Sequence, residues 1–108
     1  MISFIIPAYN EEKNVKPTIS EINRAVKYLK LKNYEIIFVD DCSTDNTLKV
    51  AQNFNIQKKM NIKIIHNKRN LGWGGTVKKG IKNATKKFVV WVPGDNGFNY
   101  KQYVNIIS

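Results

Sequence analysis

Apolar residues in this chain come in two rhythms, short unbroken runs and recurrences every three or four positions, and the two alternate from end to end. Residues 2 to 6, Ile-Ser-Phe-Ile-Ile, are a short apolar run closed by Pro7, the pattern of a buried strand with a sharp exit. A helix follows, with Pro17 in its first turn and Ile19, Ile22, Val26 and Leu29 on one face, ending near Lys32-Asn33. Residues 35 to 39 read as a second strand, residues 47 to 58 as a helix with Leu48, Ala51 and Phe54 inward, and residues 62 to 65 as a third strand. A helix from about Gly74 to Ala84 comes next, carrying Val77, Ile81 and Ala84 inward and weakened by Gly80. Residues 88 to 92 supply a fourth strand, Pro93 to Gly97 a turn, and residues 100 to 107 a final helix.

Strand and helix in strict alternation predict an α/β protein with a mainly parallel sheet, helices on both faces and right-handed crossovers. Such sheets bind ligands beyond the carboxyl ends of their strands. Every unusual segment here follows a strand: Pro7 to Glu12, Asp40 to Asp45, Asn67 to Gly75, and Pro93 to Gly97. Four loops are therefore expected to converge on one crevice.

Composition narrows the class. A chain of 108 residues, 43% hydrophobic, suits a single domain over residues 1–108 with a real core, and no stretch approaches the roughly 20 apolar residues of a membrane span. The start, Met1 to Pro7, has neither a basic leader nor a cleavage site, so a cytoplasmic location is expected. Cys42 is the only cysteine, which excludes an intrachain disulfide and a cysteine-based zinc site. The formal net charge of +10 favours encounter with any polyanion, but its lysines are scattered among asparagines and isoleucines, as biased codon usage would also produce. The carboxylates are more selective, since Glu11, Glu12, Asp40, Asp41, Asp45 and Asp95 all fall in the loops.

In the first loop Tyr9 offers a ring to lie against a base, or to pack on its neighbours, and Glu11 and Glu12 can accept from a base or ribose. In the second, Ser43, Thr44 or Asp45 suits helix capping, which does not account for Asp40 and Asp41. Adjacent like charges after an apolar strand favour a ligand or cation role for at least one of them. The third loop pairs Lys68 and Arg69 with glycines before a helix start, which suits close approach to phosphates, although neither a Walker loop nor a dinucleotide fingerprint is present. His66 reads as a strand-end residue rather than a metal ligand, and Trp73 and Trp91 as packing residues. Asp95 either holds a divalent cation bridging a diphosphate or belongs to a plain Pro-Gly-Asp-Asn turn; spacing alone leaves both open.

Three segments, residues 3 to 12, residues 34 to 47 and Asn70-Leu71-Gly72 through Gly80, together resemble the family 2 glycosyltransferases of GT-A fold, especially the branch with dolichol-phosphate mannose synthases and bacterial polyprenyl-phosphate sugar transferases. The resemblance implies that Pro7, Tyr9 and Glu11 help hold a nucleotide, that Asp40 binds its base, and that residues 88 to 95 lead into the family's metal-binding Asp-x-Asp motif. Pro93 stands in place of the first aspartate, Gly94 in the middle and Asp95 in place of the second, with Asn96 as a further oxygen. The expected nucleotide-sugar-binding set is Pro7, Ala8, Tyr9, Glu11, Asp40, Asp41, Gly94 and Asp95, with Asp95 holding Mg²⁺ or Mn²⁺.

The resemblance further implies transfer of a sugar from a nucleoside diphosphate sugar to an acceptor hydroxyl, a glycan or a polyprenyl phosphate, with peripheral contact at the inner face of the membrane. Family members carry an acceptor-binding half that supplies the catalytic base, and no base can be named among these residues. Two rivals belong to other classes. One is a non-catalytic nucleotide-binding module completed by another chain. The other is a basic surface binder for nucleic acid or anionic membrane, disfavoured by scattered lysines and clustered carboxylates; no specific nucleic-acid partner is expected.

Overall fold

The computed structural model describes residues 1–107. Its elements are β1 (Ile2–Ala8), α1 (Val15–Tyr28), β2 (Tyr34–Asp40), α2 (Thr47–Lys58), β3 (Lys63–His66), α3 (Gly72–Lys82), β4 (Phe88–Trp91) and α4 (Tyr100–Ile107). The strands form one parallel sheet in the order β3-β2-β1-β4, so the first strand of the sequence lies inside the sheet with a neighbour on each side.

β1 is buried along its whole length, as expected of a central parallel strand covered on both faces. Ile2, Phe4, Ile6 and Ala8 join a core made with Val15, Ile19 and Ile22 of α1, Phe54 of α2 and Tyr103 of α4. The intervening side chains point to the opposite face, where α3 packs on β1 and β2. The expected helices on both faces are therefore present.

Pro7 does not close β1. The strand runs on through Ala8, with Pro7 in register with Val39 and Ala8 with Asp40 of β2. The carbonyl of Ile5 accepts from Val92 on the β4 side and the carbonyl of Ala8 from Asp41 on the β2 side. Backbone groups alternate sides along a strand, so the nitrogen of Pro7 faces β4, past the last ladder pair Ile5–Trp91. Pro7 has no N–H to continue the ladder on that side, and pairing with β4 ends at Ile5–Trp91 while pairing with β2 runs on to Ala8.

Other boundaries also differ from the pattern reading. α1 stops at Tyr28 because Lys30 turns left-handed (φ 55°), with Lys30 N–H donating to Lys27 O and Leu31 N–H to Val26 O, a Schellman closure. Leu48 is only half-buried in α2, whereas Thr47, Ala51 and Phe54 are buried. α3 begins at Gly72, two residues early, and its inner face is not the expected one. Thr76 and Gly80 are buried, while Ile81 is exposed. A Cβ on Gly80 would stand 2.4 Å from Ile5 Cγ2, so Gly80 is where α3 approaches the sheet. A helical glycine that costs propensity is here the contact that seats the helix.

At the amino-terminal edge of the sheet, away from the loops in question, Glu35 ties three elements together. It accepts from Ser3 Oγ (2.5 Å), Thr85 N (2.6 Å) and Thr85 Oγ1 (3.0 Å), and pairs with Lys63 Nζ at 3.4 Å.

Candidate functional site

The carboxyl ends of the strands carry all four loops, and three of them enclose a cleft of about 370 Å³ lined by Pro7, Tyr9, Glu11, Trp73, Trp91, Pro93, Gly94 and Asp95. Five of the eight expected site residues, Pro7, Tyr9, Glu11, Gly94 and Asp95, thus share one cavity. Trp73 and Trp91 are not the buried packing residues expected. They are 60% and 45% exposed, meet edge to face with ring centroids 5.2 Å apart, and form an aromatic wall of the cleft. Tyr9, 46% exposed, adds a third ring.

Gly94 brings the fourth loop onto β1. A Cβ there would lie 2.7 Å from the carbonyl oxygen of Pro7, so only glycine lets the chain pass this close. The hydroxyl of Thr18 in α1 donates to the carbonyl of Gly94 (3.5 Å). Asn96 takes a left-handed conformation (φ 59°), and its buried Oδ1 has no donor among the described residues. Beneath the loop, the buried hydroxyl of Tyr103 is held protonated by burial first and then by the charges of Glu21 and Asp95.

Ala8, Asp40 and Asp41 do not line this cleft. The methyl of Ala8 is in the core. Asp41 is 4% exposed and its carboxylate is occupied: Oδ1 accepts from Leu71 N (2.7 Å) and Asn67 Nδ2 (2.9 Å), and Oδ2 from Gly72 N (3.0 Å). Burial acts to raise its pKa, but the donors from Leu71, Asn67, Thr76 and Gly72 outweigh it and lower the value. The amides of Leu71 and Gly72, at the entry to the helix start whose loop suits close approach to phosphate, are therefore given to Asp41. Its role in the fold is to latch the third loop to the end of β2.

Asp40 is wholly buried, and Oδ2 receives His66 Nδ1 at 2.8 Å and Ser43 N at 3.4 Å. Its Oδ1 is buried without a donor among the described residues. An unpaired acceptor of this kind is costly in a folded protein and marks a place where a donor from outside is wanted.

The first two loops are fastened to each other. Asn10, left-handed at φ 53°, accepts on Oδ1 from Thr44 N (2.8 Å), Thr44 Oγ1 (3.2 Å) and Asp45 N (3.4 Å), while its own N–H donates to Ser43 Oγ. Glu11 N–H donates to Thr47 Oγ1 (2.8 Å), and Asp45 accepts from Thr47 N (2.9 Å) and from the Thr47 hydroxyl. Burial acts to raise the pKa of Asp45, but donors from Thr47 and Glu12 outweigh it and lower the value, and Asp45 is thus a helix-start and loop-fastening residue. The pattern reading missed Asn10, Asn67 and the His66–Asp40 contact, because asparagine in a loop carries no distinctive signal and strand register is not visible in a single sequence.

His66, Lys68, Arg69, Leu71 and Lys79 border a second cavity of about 330 Å³ on the other side of the third loop. Among the described residues, no group of three or more His, Cys, Asp or Glu side chains is arranged to hold a metal ion by itself, and no helix is long and apolar enough to cross a membrane.

A parallel α/β sheet with its loops gathered around a cleft at the carboxyl edge belongs to the class of open α/β folds that bind ligands beyond the ends of their strands. Residues 3–103 match the model of glycosyl transferase family 2, and the chain belongs to that family. It is 34% identical over 110 residues to a dolichyl-phosphate beta-glucosyltransferase of Dictyostelium discoideum, with 94% of this chain and 33% of the relative covered. The structure of Staphylococcus aureus TarS in complex with UDP-GlcNAc is similar with a TM-score of 0.76 and 27% identity, covering 98% of this chain and 30% of that one. A mannosyltransferase from Pyrobaculum calidifontis in complex with GDP-Man and Mn²⁺ shares the fold (TM-score 0.77, 22% identity, 87% of this chain and 27% of that one). The chain spans about a third of the length of that Dictyostelium relative.

Proposed function

We propose that residues 1–108 form one donor-binding domain of a glycosyltransferase, which takes a nucleoside diphosphate sugar for transfer to an acceptor hydroxyl or a polyprenyl phosphate. The observation that carries this reading is the cleft in which Pro7, Tyr9 and Glu11 of the first loop meet Gly94 and Asp95 of the fourth. Aromatic walls suit a base or sugar face, and the carboxylates suit ribose hydroxyls or a cation. In this reading Tyr9 stacks, Glu11 accepts from the nucleoside, and Asp40 accepts a donor of the base through Oδ1. Ala8 contributes backbone only, and Asp41 acts from beneath by holding the third loop.

The donor set fits a divalent cation only together with a ligand. Asp95 offers a carboxylate and Asn96 an oxygen with no donor among the described residues, while Pro93 offers no side-chain oxygen, and Mg²⁺ in such sites takes one or two carboxylates plus phosphate oxygens and water. Mn²⁺ or Mg²⁺ bound there would neutralise charge on the leaving diphosphate. Asp95 and Asn96 would hold the ion against that diphosphate, with Gly94 keeping them close to β1. A polyprenyl-phosphate acceptor would bring the domain to a membrane surface, and the net charge of +10 favours contact with an anionic, cytoplasmic leaflet.

Calorimetric titration with UDP, GDP and their sugars, with and without Mn²⁺, tests the reading. Metal-dependent binding of one nucleotide, lost in Asp95→Ala, is expected; no binding to any of them would sink it. Binding with no transfer of labelled sugar, even when the acceptor-side portion of a relative is supplied, would favour a non-catalytic nucleotide-binding module completed by another chain.

A further inference from the structure

Asp40 is held by its main chain on both sides. Its residue pairs with Ala8 in β1 and with His66 in β3, and its carbonyl accepts from Asn67 N at 2.8 Å. What remains free is the rotation that decides where the two carboxylate oxygens point. The nearest group bearing on that rotation is the imidazole of His66, whose Nδ1 lies 2.8 Å from Oδ2. Facing a carboxylate oxygen, this nitrogen must be the donor, so the neutral ring is the Nδ1–H tautomer and Nε2 is left as an acceptor. The side chain of His66 is 45% exposed while that of Asp40 is 1% exposed, so the ring links a buried carboxylate to a wall of the cavity bordered by Lys68 and Arg69.

We propose that His66 is a positioning residue for ligand recognition. Through Nδ1–H it fixes the plane of the Asp40 carboxylate so that Oδ1, which has no donor among the described residues, is presented to an N–H or O–H of the incoming nucleotide. This rests on the reading of Asp40 as the base-binding group. Asn67 and Asp41 are committed to each other and Ser43 N is a longer contact at 3.4 Å, so His66 supplies the shorter of the two donors to this carboxylate. A ligand presenting only acceptors to Oδ1 is rejected, because two acceptors would then face each other in a buried place.

The side-chain amide of asparagine places a donor where Nδ1 of histidine stands, whereas leucine keeps bulk and loses the donor. The test is titration of wild type, His66→Asn, His66→Leu and Asp40→Ala with UDP and with GDP in the presence of Mn²⁺, each variant first checked by circular dichroism for a folded state. His66→Leu is expected to weaken the bound nucleotide about tenfold and His66→Asn to stay within about twofold of wild type. Because His66 is the only histidine, its tautomer is read directly from a long-range proton–nitrogen correlation spectrum. The Nδ1–H form is expected in wild type and a loss of that preference in Asp40→Ala. His66→Leu binding like wild type, His66→Asn failing to rescue, or an Nε2–H ring in wild type overturns the role of His66 while leaving Asp40 in place. A wild type that binds neither nucleotide, or an Asp40→Ala that binds as well as wild type, overturns the base-binding reading and this role together.

Discussion

Gly94 and Pro7 approach so closely that a methyl group on the glycine would lie 2.7 Å from the proline's carbonyl oxygen. The carbonyl points toward β4 because backbone groups alternate along β1, and Pro7 has no N–H to compete for that side. The fourth loop can therefore fold down onto the central strand, carrying Asp95 to the cleft that also holds Tyr9 and Glu11.

Gly94→Ala is expected to push this loop off β1 and to weaken metal-dependent nucleotide binding by about tenfold or more, with a smaller stability loss of about 1–2 kcal/mol from overpacking. Titration with UDP or GDP and Mn²⁺, set beside a urea melt of the same variant, separates the two effects. An alanine variant that binds and melts like wild type would mean the loop has room to spare.

Asp41 fastens the third loop, so its removal strands the amide of Leu71 and takes one of two acceptors from Gly72 N, which also donates to Asn70 Oδ1 (2.9 Å), and from Asn67 Nδ2, which also donates to Thr76 Oγ1 (3.3 Å). Asp41→Ala is expected to cost about 3 kcal/mol, and Asp41→Asn less, since its remaining oxygen can still accept. Denaturant unfolding gives the stability, and amide exchange at Leu71 and Gly72 shows whether the loss is local. Unchanged exchange at those two amides would show that Asp41 does not hold them.

Gly80→Ala trades a gain in helix propensity of about 1 kcal/mol against a clash with Ile5 Cγ2 at 2.4 Å. The clash should win, giving a net loss of about 1–2 kcal/mol, because a buried helix cannot give way as a surface one does. In an Ile5→Ala background, which lacks Cγ2, the same substitution should become neutral or stabilising in thermal melts. A loss of the same size in both backgrounds would place the cost elsewhere.

Glu35 gives the fold an acid-sensitive joint. Burial tends to raise its pKa, but donors from Ser3 and Thr85 and the charge of Lys63 prevail and bring it down from 4.5 to about 2. A depressed carboxylate contributes stability that is fully present above the unfolded value and is lost as pH falls toward the folded one. The contribution of Glu35 should therefore fade between pH 4.5 and about 2. Glu35→Gln should lower stability at neutral pH and flatten the pH dependence in that window, as followed by urea melts at a series of pH values. Equal slopes for wild type and variant would remove Glu35 from the account of acid unfolding.

Short apolar runs, helical recurrences and turn residues together predicted the type and order of all eight elements, even though the edge strands β3 and β4 are largely exposed and only β1 and most of β2 are buried. Ends were harder to read. Nothing in Lys30 itself announces a left-handed turn, and Pro7 ends a strand or continues it depending on which neighbour its nitrogen faces. The loops could be named as places where polar and conformationally special residues cluster after strands. Tyr9, Glu11, Gly94 and Asp95 were legible on that ground as one candidate site.

Roles within the loops required the fold. Asp40 and Asp41 are neighbours of the same chemistry, yet the carboxylate of Asp41 is filled by Leu71, Gly72 and Asn67, while that of Asp40 meets His66 and keeps an oxygen without a donor among the described residues. Successive side chains at a strand's end leave on opposite sides, and what each meets depends on the register of β3 and the start of α3, far away in sequence. The same holds for Trp73 and Trp91, whose pairing joins α3 to β4. By itself the sequence determined the elements, the α/β class and the edge where ligands belong, since these follow from local repeats and strand-to-loop order. Tertiary structure alone decided which carboxylate is a latch and which has an oxygen to offer, since a hydrogen bond depends on distances that the order of residues does not contain.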